Sequence, residues 1–346
     1  MDIKNGRSAE QSATTMLAMV LEHSYMPLQA IRVPVPVPSA HEVLIKVLAC
    51  GVCRTDLHIL DGELPLHKLP LIPGHEVVGI VVQRGDLAQE FPLGARIGVP
   101  WLGGSCGTCD FCRMQRENLC DAALYTGYDL NGGYAQYMVA DARYAFLIPE
   151  QYDDAHAAPL LCAGLIAYRA YAMTGDAKRI GLYGYGAAAH IIAQIARHEG
   201  REVFAFTRRG DSRSQQFALA LGAVWAGDSD TRPPALLDAA IIFAPAGELV
   251  PQALSVSRKG AVIVCAGIHM TDIPRFPYAL LWGERSVRSV ANLTRVDGEA
   301  FFDLARQFHL QTAPVMYALQ DANQALAALR DGTFDGAAVL LTGGGA

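Results

Sequence analysis

The sequence lacks the features that define several protein classes. No apolar stretch reaches the roughly 20 residues of a membrane-spanning helix, because Gly, Pro or charged residues interrupt the longest candidates. No run of Lys or Arg occurs, and the net charge of −6 argues against nucleic acid as a partner. Internal repeats and low-complexity segments are also missing. With 51% hydrophobic and 18% charged residues, the composition indicates a well-packed globular protein.

The N-terminal segment lacks the apolar core of a secretion signal. We expect residues 1–16 to form a polar, mobile leader. Eight cysteines without an export signal predict a reducing, cytoplasmic environment, in which thiols bind metals more readily than they form disulfides.

The length of 346 residues is sufficient for two domains. Up to about residue 150 the chain has mostly short β-patterns broken by Gly and Pro, and from about residue 160 strands and helices alternate, which predicts βαβ units and a parallel sheet. The last fifty residues should fold back onto the N-terminal part. The predicted strands are 43–48, 77–82, 134–140, 145–148, 180–184, 202–207, 239–243, 261–266 and 337–341, and the predicted helices are 187–198, 212–221, 298–308 and 321–329.

Four cysteines form the most specific motif. Their spacing, C-x2-C-x2-C-x7-C, allows successive turns of a loop to place sulfurs around one tetrahedral ion, with Zn–S distances of about 2.3 Å. Two disulfides or a chance cluster are the alternatives. In a chain without an export signal the pattern favours a closed, structural zinc site at Cys106, Cys109, Cys112 and Cys120.

A glycine-rich turn follows one predicted strand and opens a helix. Gly184 permits the tight turn, and Gly186 lets the backbone approach a pyrophosphate. The helix begins at Ala187, and Ala189 is small enough for close packing of helix on strand. Such turns also arise for packing alone. The βαβ context nevertheless favours a dinucleotide, with its phosphates at the helix N-terminus.

The end of the next strand bears on which dinucleotide binds. A carboxylate there would hydrogen-bond the ribose 2′-hydroxyl of NAD, but this chain has Thr207, Arg208 and Arg209. A hydroxyl and two guanidinium groups match a 2′-phosphate. The arginines could instead belong to a solvated loop. The sequence favours NADP(H) over NAD(H).

Cys53, His75 and Cys162 are candidate ligands of a second zinc ion. They are scattered along the chain, as expected of a site that the fold assembles. Two Cys and one His leave one tetrahedral position open to water or substrate, which is the arrangement of a catalytic zinc. Taken singly, Cys162 could be a small buried hydrophobe and His75 a core histidine. The residues around them favour the catalytic interpretation.

These motifs occur in the order found in one enzyme family. Together they resemble the zinc-dependent alcohol dehydrogenases of the medium-chain dehydrogenase/reductase superfamily, from about residue 17 onward. The resemblance implies an α/β protein in which a GroES-like, β-rich catalytic domain (1–160 and 296–346) accompanies a Rossmann domain with a doubly wound parallel sheet (161–295). The motifs are Cys53-Arg54-Thr55-Asp56-Leu57-His58, Gly74-His75-Glu76, the four-cysteine loop, Cys162 and the Gly184 turn.

The resemblance also implies roles for the residues around the second zinc. Thr55 would hydrogen-bond the alcohol oxygen, and His58 would pass the proton through the cofactor ribose to solvent. Asp56 would hold the far nitrogen of His75. Glu76 would lie near the metal and could enter its coordination sphere transiently. Arg54 would meet the pyrophosphate.

Further residues are implied at the cofactor and in the pocket. Ala266, Gly267 and Ile268 would border the nicotinamide. Near the C-terminus the chain lacks an Arg that many relatives use for phosphate binding. Arg295 is a candidate substitute, with a surface salt bridge as its alternative role. Trp101 matches a substrate-pocket position whose bulk favours primary alcohols or aldehydes, and Tyr128, Leu281 and Trp282 could add to the pocket wall or serve in packing.

The implied function is reversible hydride transfer between a primary alcohol or aldehyde, aromatic or medium-chain, and NADP(H), with two zinc ions per chain. Relatives that extend their nucleotide-domain sheet across subunits imply a homodimer or homotetramer, with 286–291 as the candidate edge strand. The alternatives are an NAD-dependent enzyme, a zinc-free quinone or enoyl reductase, and a non-catalytic regulatory protein built on the four-cysteine loop.

Overall fold

The computed structural model describes residues 14–343, so most of the predicted leader lies outside the described residues. Across that range the chain forms seventeen strands and ten α-helices. The strands are β1 (Thr15–Val20), β2 (Gln29–Pro34), β3 (Glu42–Val52), β4 (Val77–Arg84), β5 (Arg96–Val99), β6 (Leu102–Gly104), β7 (Leu124–Tyr125), β8 (Tyr137–Asp141), β9 (Phe146–Leu147), β10 (Arg179–Tyr183), β11 (Glu202–Thr207), β12 (Trp225–Asp228), β13 (Leu237–Ile242), β14 (Ser257–Cys265), β15 (Ser286–Ser289), β16 (Pro314–Ala318) and β17 (Ala337–Leu341). The helices are α1 (Arg54–Leu60), α2 (Asp110–Arg113), α3 (Asp154–Ala157), α4 (Ala163–Ala172), α5 (Ala187–His198), α6 (Ser212–Ala220), α7 (Leu249–Ser255), α8 (Tyr278–Leu281), α9 (Arg295–Gln307) and α10 (Ala322–Asp331).

Six strands form a parallel sheet in the order β12-β11-β10-β13-β14-β15. Both faces are covered, because alternate residues of one strand enter different hydrophobic clusters. Ile180 and Leu182 belong to one cluster, and Tyr183 to the other. This is the doubly wound sheet that the alternating pattern predicts, and the predicted edge strand forms its edge as β15.

A second sheet has seven strands. Its path runs β16-β17-β3-β4-β5-β9, and β8 also pairs with β3. Strand β17 lies antiparallel to β3, with Val339 opposite Gly51, so the C-terminal strand returns to the N-terminal part of the chain as predicted. Apart from the parallel pair β16 and β17, the strands of this sheet pair antiparallel.

The beginning of α9 differs from its predicted position. The pattern predicts a start at residue 298, whereas the helix begins at Arg295. A reciprocal capping box explains the difference: the Thr294 side chain accepts a hydrogen bond from the Asp297 N–H, and Asp297 accepts one from the Thr294 N–H. Within residues 14–343, no helix has both the length and the apolar character needed to cross a membrane.

Candidate active site

The three predicted ligands of the second zinc meet where loops join the seven-stranded sheet to helices. Cys53 immediately precedes α1, His75 precedes β4, and Cys162 precedes α4. Ligand atoms of these residues and of Glu76 all lie within 4.8 Å of one another. The Sγ atoms of Cys53 and Cys162 are 3.8 Å apart. Two thiolates on a tetrahedral zinc, each at about 2.3 Å, would have this separation. The donor set and its spacing therefore fit zinc.

Asp56 holds both His75 and the loop at Cys53. Its Oδ1 lies 3.2 Å from Nδ1 of His75, and both side chains are fully buried. Its Oδ2 accepts hydrogen bonds from the Cys53 N–H at 2.9 Å and from the Tyr134 hydroxyl at 3.0 Å. The Nε2 atom of His75 has no hydrogen-bond partner among the described residues. A buried, unpartnered nitrogen of this kind suits a metal ligand whose other nitrogen faces a carboxylate.

The site concentrates buried ionisable groups that shift one another's pKa values. The hydrogen bond from Cys162 lowers the pKa of the Cys53 thiol well below its usual value, and the same contact raises the pKa of Cys162. Burial, and then the charge of Cys53, raises the pKa of Glu76 well above its usual value. A bound divalent ion would favour the ionised form of each of these groups.

Gly51 is a site residue that the sequence patterns did not reveal. A Cβ at this position would lie 1.8 Å from Oε2 of Glu76. Glycine therefore makes room for the buried carboxylate next to the candidate ligands. No sequence motif marks this glycine, because Gly51 lies within the apolar strand β3.

Thr55 and His58 lie on one face of α1, since they are three residues apart. The Oγ1 atom of Thr55 is 3.7 Å from the Cys53 sulfur. His58 is 8% exposed, and its Nδ1 is hydrogen-bonded to Oε2 of Glu63. Sequence analysis did not single out Glu63, which follows α1 without a recognisable motif.

Trp101 lies beside the candidate metal ligands. Its ring meets His75 edge-on, with centroids 4.8 Å apart. It also stacks with Tyr125 and Tyr128, at 5.1 and 5.7 Å. By contrast, Trp282 is 59% exposed and contacts the Lys259 ammonium group.

The four-cysteine loop forms the second cluster. Ligand atoms of Cys106, Cys109, Cys112 and Cys120 lie within 4.8 Å of one another, and no disulfide joins them. Backbone N–H groups of Thr108 and Cys109 donate to the Cys106 sulfur and lower the pKa of that thiol to about 6. Unbonded, converging sulfurs of this kind fit a closed zinc site rather than two disulfides.

Arg295 is hydrogen-bonded to Glu117, which lies within this loop. Its N–H donates to Oε1 of Glu117 at 2.6 Å, and its side chain is 3.8 Å from Glu299. These contacts correspond to the salt-bridge alternative. A role for Arg295 at the pyrophosphate stays a prediction.

The glycine turn leaves space above the beginning of α5. Gly184 has φ +85°, a left-handed conformation suited to glycine, and Gly186 precedes the first helical residue. A Cβ at Gly186 would meet no atom within 4 Å, whereas Ala189 is fully buried against the sheet. The open helix N-terminus fits a dinucleotide phosphate.

The residues at the end of β11 lie beside two acidic side chains, Asp228 and Asp230, that sequence analysis did not identify. Thr207 pairs with Asp228 across parallel strands. Oδ1 of Asp228 accepts hydrogen bonds from the Gln215 amide, which also contacts Thr207, and from the Gly210 N–H. The Arg209 guanidinium pairs with Asp230, whereas the exposed Arg208 has no ion-pair partner among the described residues.

Ala266, Gly267 and Ile268 directly follow β14, as predicted, and Ile268 is 53% exposed. The next residue, His269, lies beside His58 with ring centroids 5.4 Å apart. This contact brings the carboxyl end of the parallel sheet to helix α1. The segment predicted to border the nicotinamide therefore lies close to helix α1, which begins directly after Cys53.

Comparison with known proteins agrees with this arrangement. The family profile "Alcohol dehydrogenase GroES-like domain" matches residues 39–150. A relative from Mycobacterium tuberculosis, "Probable alcohol dehydrogenase AdhA", is 47% identical over 323 residues, covering 91% of this chain and 93% of the relative.

Two solved structures extend the likeness to the fold. Acetophenone reductase from Geotrichum candidum, in complex with NAD, has a TM-score of 0.86 and 26% identity and covers 96% of this chain and 98% of that one. A "putative zinc-binding dehydrogenase" from Sinorhizobium meliloti 1021, bound to NADP, has a TM-score of 0.83 and 25% identity. The match covers 95% of this chain and 100% of that one. These findings confirm the resemblance inferred from the motifs. The chain belongs to the alcohol dehydrogenase family of the medium-chain dehydrogenase/reductase superfamily.

Proposed function

We propose that this chain catalyses reversible hydride transfer between a primary alcohol or aldehyde and NADP(H), with one catalytic and one structural zinc ion. The observation that carries the proposal is the convergence of Cys53, His75 and Cys162. Their two sulfurs are 3.8 Å apart, and a buried imidazole nitrogen has no hydrogen-bond partner among the described residues. Glu76 is close enough to join them. The Cys106–Cys120 cluster would hold the structural ion.

When bound, zinc would act as a Lewis acid on the substrate oxygen and the nicotinamide would exchange hydride with the substrate carbon. Residues of this chain would carry out the proton-transfer steps. Thr55 would hydrogen-bond the substrate oxygen from its position beside Cys53, and His58 would accept the released proton and return it to solvent. Aldehyde reduction uses the same groups in the reverse direction. Trp101 would limit the space beside His75.

We also propose the domain boundaries expected from the sequence. Strands β3 to β5, β8 and β9 build the seven-stranded sheet together with β16 and β17, and β10 to β15 build the parallel sheet. Boundaries near residues 160 and 296 are consistent with this division. Arg54, exposed at the beginning of α1, is the proposed pyrophosphate contact from the catalytic side.

The preference for NADP(H) rests on the end of β11. Similar structures bind either NAD or NADP, so the family alone does not select the cofactor. Here the first residue after the strand is Arg208, exposed and without a described ion-pair partner. Arg209 would have to exchange Asp230 for a phosphate. Arg208 is therefore the principal proposed partner of the 2′-phosphate.

Replacing Arg208→Gln should lower kcat/KM for NADPH about tenfold and leave the value for NADH unchanged. A charge-assisted hydrogen bond contributes about 1.5–3 kcal/mol, and a factor of ten corresponds to about 1.4 kcal/mol. Initial rates with both cofactors measure the effect. Arg306→Gln is the matched control, because Arg306 pairs with Asp303 on the surface. Equal losses with both cofactors would contradict the assignment.

The function itself is tested by benzaldehyde reduction with NADPH and with NADH, before and after chelation. We expect reduction with an NADPH preference, loss of activity after chelation, and recovery with Zn²⁺. Acetophenone, which is hindered next to its carbonyl carbon, should react more slowly because Trp101 lies beside the ligands. Absence of metal-dependent activity across several aldehydes would favour the non-catalytic regulatory interpretation.

Two further expectations belong to the proposal. Strand β15 is the open edge of the parallel sheet, so a homodimer or homotetramer could extend the sheet there. All eight cysteines are free thiols, which is consistent with a reducing cytoplasm.

A further inference from the structure

Glu63 makes a side-chain contact with the proton-accepting histidine that the proposed reaction has not yet used. Its Oε2 is hydrogen-bonded to Nδ1 of His58, and its N–H donates to the His58 carbonyl at 2.9 Å. The Glu63 side chain is 45% exposed, whereas that of His58 is 10% exposed. The carboxylate thus caps the solvent side of the ring and is held to the same turn by the backbone.

The charged groups around this pair favour an ionised Glu63. The hydrogen bond from His58 is the main influence that lowers the pKa of Glu63, and the charges of His58, His269 and Arg54 act in the same direction. Arg54 comes from the beginning of α1, and His269 from the segment after β14. A carboxylate accepts hydrogen bonds only, so the Nδ1 atom of His58 must be the donor.

We infer that Glu63 is a positioning residue for proton transfer. This inference rests on the proposed alcohol dehydrogenase reaction. By accepting the Nδ1–H of His58, Glu63 fixes the neutral ring in the tautomer whose Nε2 carries a lone pair. Nε2 can then accept the proton released by the substrate hydroxyl, and the carboxylate stabilises the resulting imidazolium. Nε2 then releases this proton towards solvent while the Nδ1–H stays hydrogen-bonded to Glu63, so the ring returns to the same tautomer and Glu63 remains ionised throughout.

Glu63→Gln tests this role through the kinetics of alcohol oxidation. The maximal rate should fall about 10- to 100-fold, because the amide can hydrogen-bond either tautomer. The KM values for alcohol and cofactor should stay close to those of the parent, because the proposed role concerns proton transfer and not binding. A maximal rate equal to that of the parent enzyme would overturn the inference.

Asp61→Asn is the matched control. Asp61 lies two residues before Glu63, is similarly exposed at 42%, and pairs with Arg330 rather than with His58. Its replacement removes the same charge from the same turn and should leave the maximal rate unchanged. An equal loss of rate in both variants would reduce the effect to general surface charge and contradict the positioning role.

A second measurement separates this inference from the proposed function. Nitrogen-15 spectra of histidine-labelled protein, with the His58 signal assigned by His58→Asn, report the tautomer without any substrate. We expect the Nδ1–H form in the parent and a mixture in Glu63→Gln. If the tautomer changes as expected while no alcohol is oxidised, the positioning contact stands and the proposed reaction fails. If the parent oxidises alcohols but His58 has the same tautomer in the parent and in Glu63→Gln, the positioning role of Glu63 fails while the proposed function stands.

Discussion

Cys53→Ser should abolish alcohol oxidation while leaving the protein folded. Without one of its proposed sulfur ligands the catalytic zinc would be lost, and Lewis-acid stabilisation of several kcal/mol would disappear with it. A loss of about 4 kcal/mol corresponds to roughly a thousand-fold in kcat. The backbone around residue 53 should persist, because the Cys53 N–H still donates to the buried carboxylate of Asp56.

Metal analysis and thermal unfolding complete this experiment. We expect the zinc content to fall from two ions to one per chain, with a melting temperature within about 1 °C of the parent. Cys265→Ala is the control, because Cys265 is buried at the end of β14 outside both cysteine clusters. It should retain two zinc ions. Full activity in Cys53→Ser with one zinc ion remaining would exclude Cys53 as a catalytic ligand.

Cys109→Ser should have the opposite pattern, with a large loss of stability and little loss of activity per folded molecule. Cys109 lies in the loop where four sulfurs converge, and its sulfur contacts Cys112 at 3.5 Å. Binding of a structural zinc contributes directly to the folding free energy. A loss of about 4 kcal/mol would lower the melting temperature by roughly 5 °C in a protein of this size.

Asp110→Asn is the control within the same loop. The Asp110 side chain is 89% exposed, and it is not among the candidate ligands. Its replacement should leave zinc content and melting temperature unchanged. Equal destabilisation by Cys53→Ser and Cys109→Ser would contradict the division into catalytic and structural ions. Zinc counts also separate the alternatives, since a regulatory protein would hold one ion and a zinc-free reductase none.

The sequence by itself determined the chemistry-bearing motifs and the main strands of the parallel sheet. The C-x2-C-x2-C-x7-C spacing brings sulfurs together within one loop, so local geometry suffices to predict the cluster. The turn at Gly184 and the helix 187–198 are likewise local, because a strand, a glycine turn and an apolar helix follow one another directly. Strand 202–207 and strand 337–341 also have their predicted bounds.

The candidate ligands Cys53, His75 and Cys162 were favoured from sequence mainly through the family's motif order. Their distances depend on three separate loops, and no local pattern predicts that two of the sulfurs lie 3.8 Å apart. The same holds for Trp101, whose edge-on contact with His75 requires the seven-stranded sheet to be assembled.

The tertiary structure alone decided the contacts made between segments without a shared motif. Parallel pairing of β11 with β12 places Asp228 beside Thr207, and this pairing cannot be read from the residues that follow Thr207. Docking of the segment after β14 against α1 brings His269 to His58. Glu63 reaches His58 because the chain turns back after α1. Spacing along the sequence predicts which side chains lie together when they belong to one loop or helix. Side chains from different elements come together only through tertiary packing, so their contacts require the folded structure.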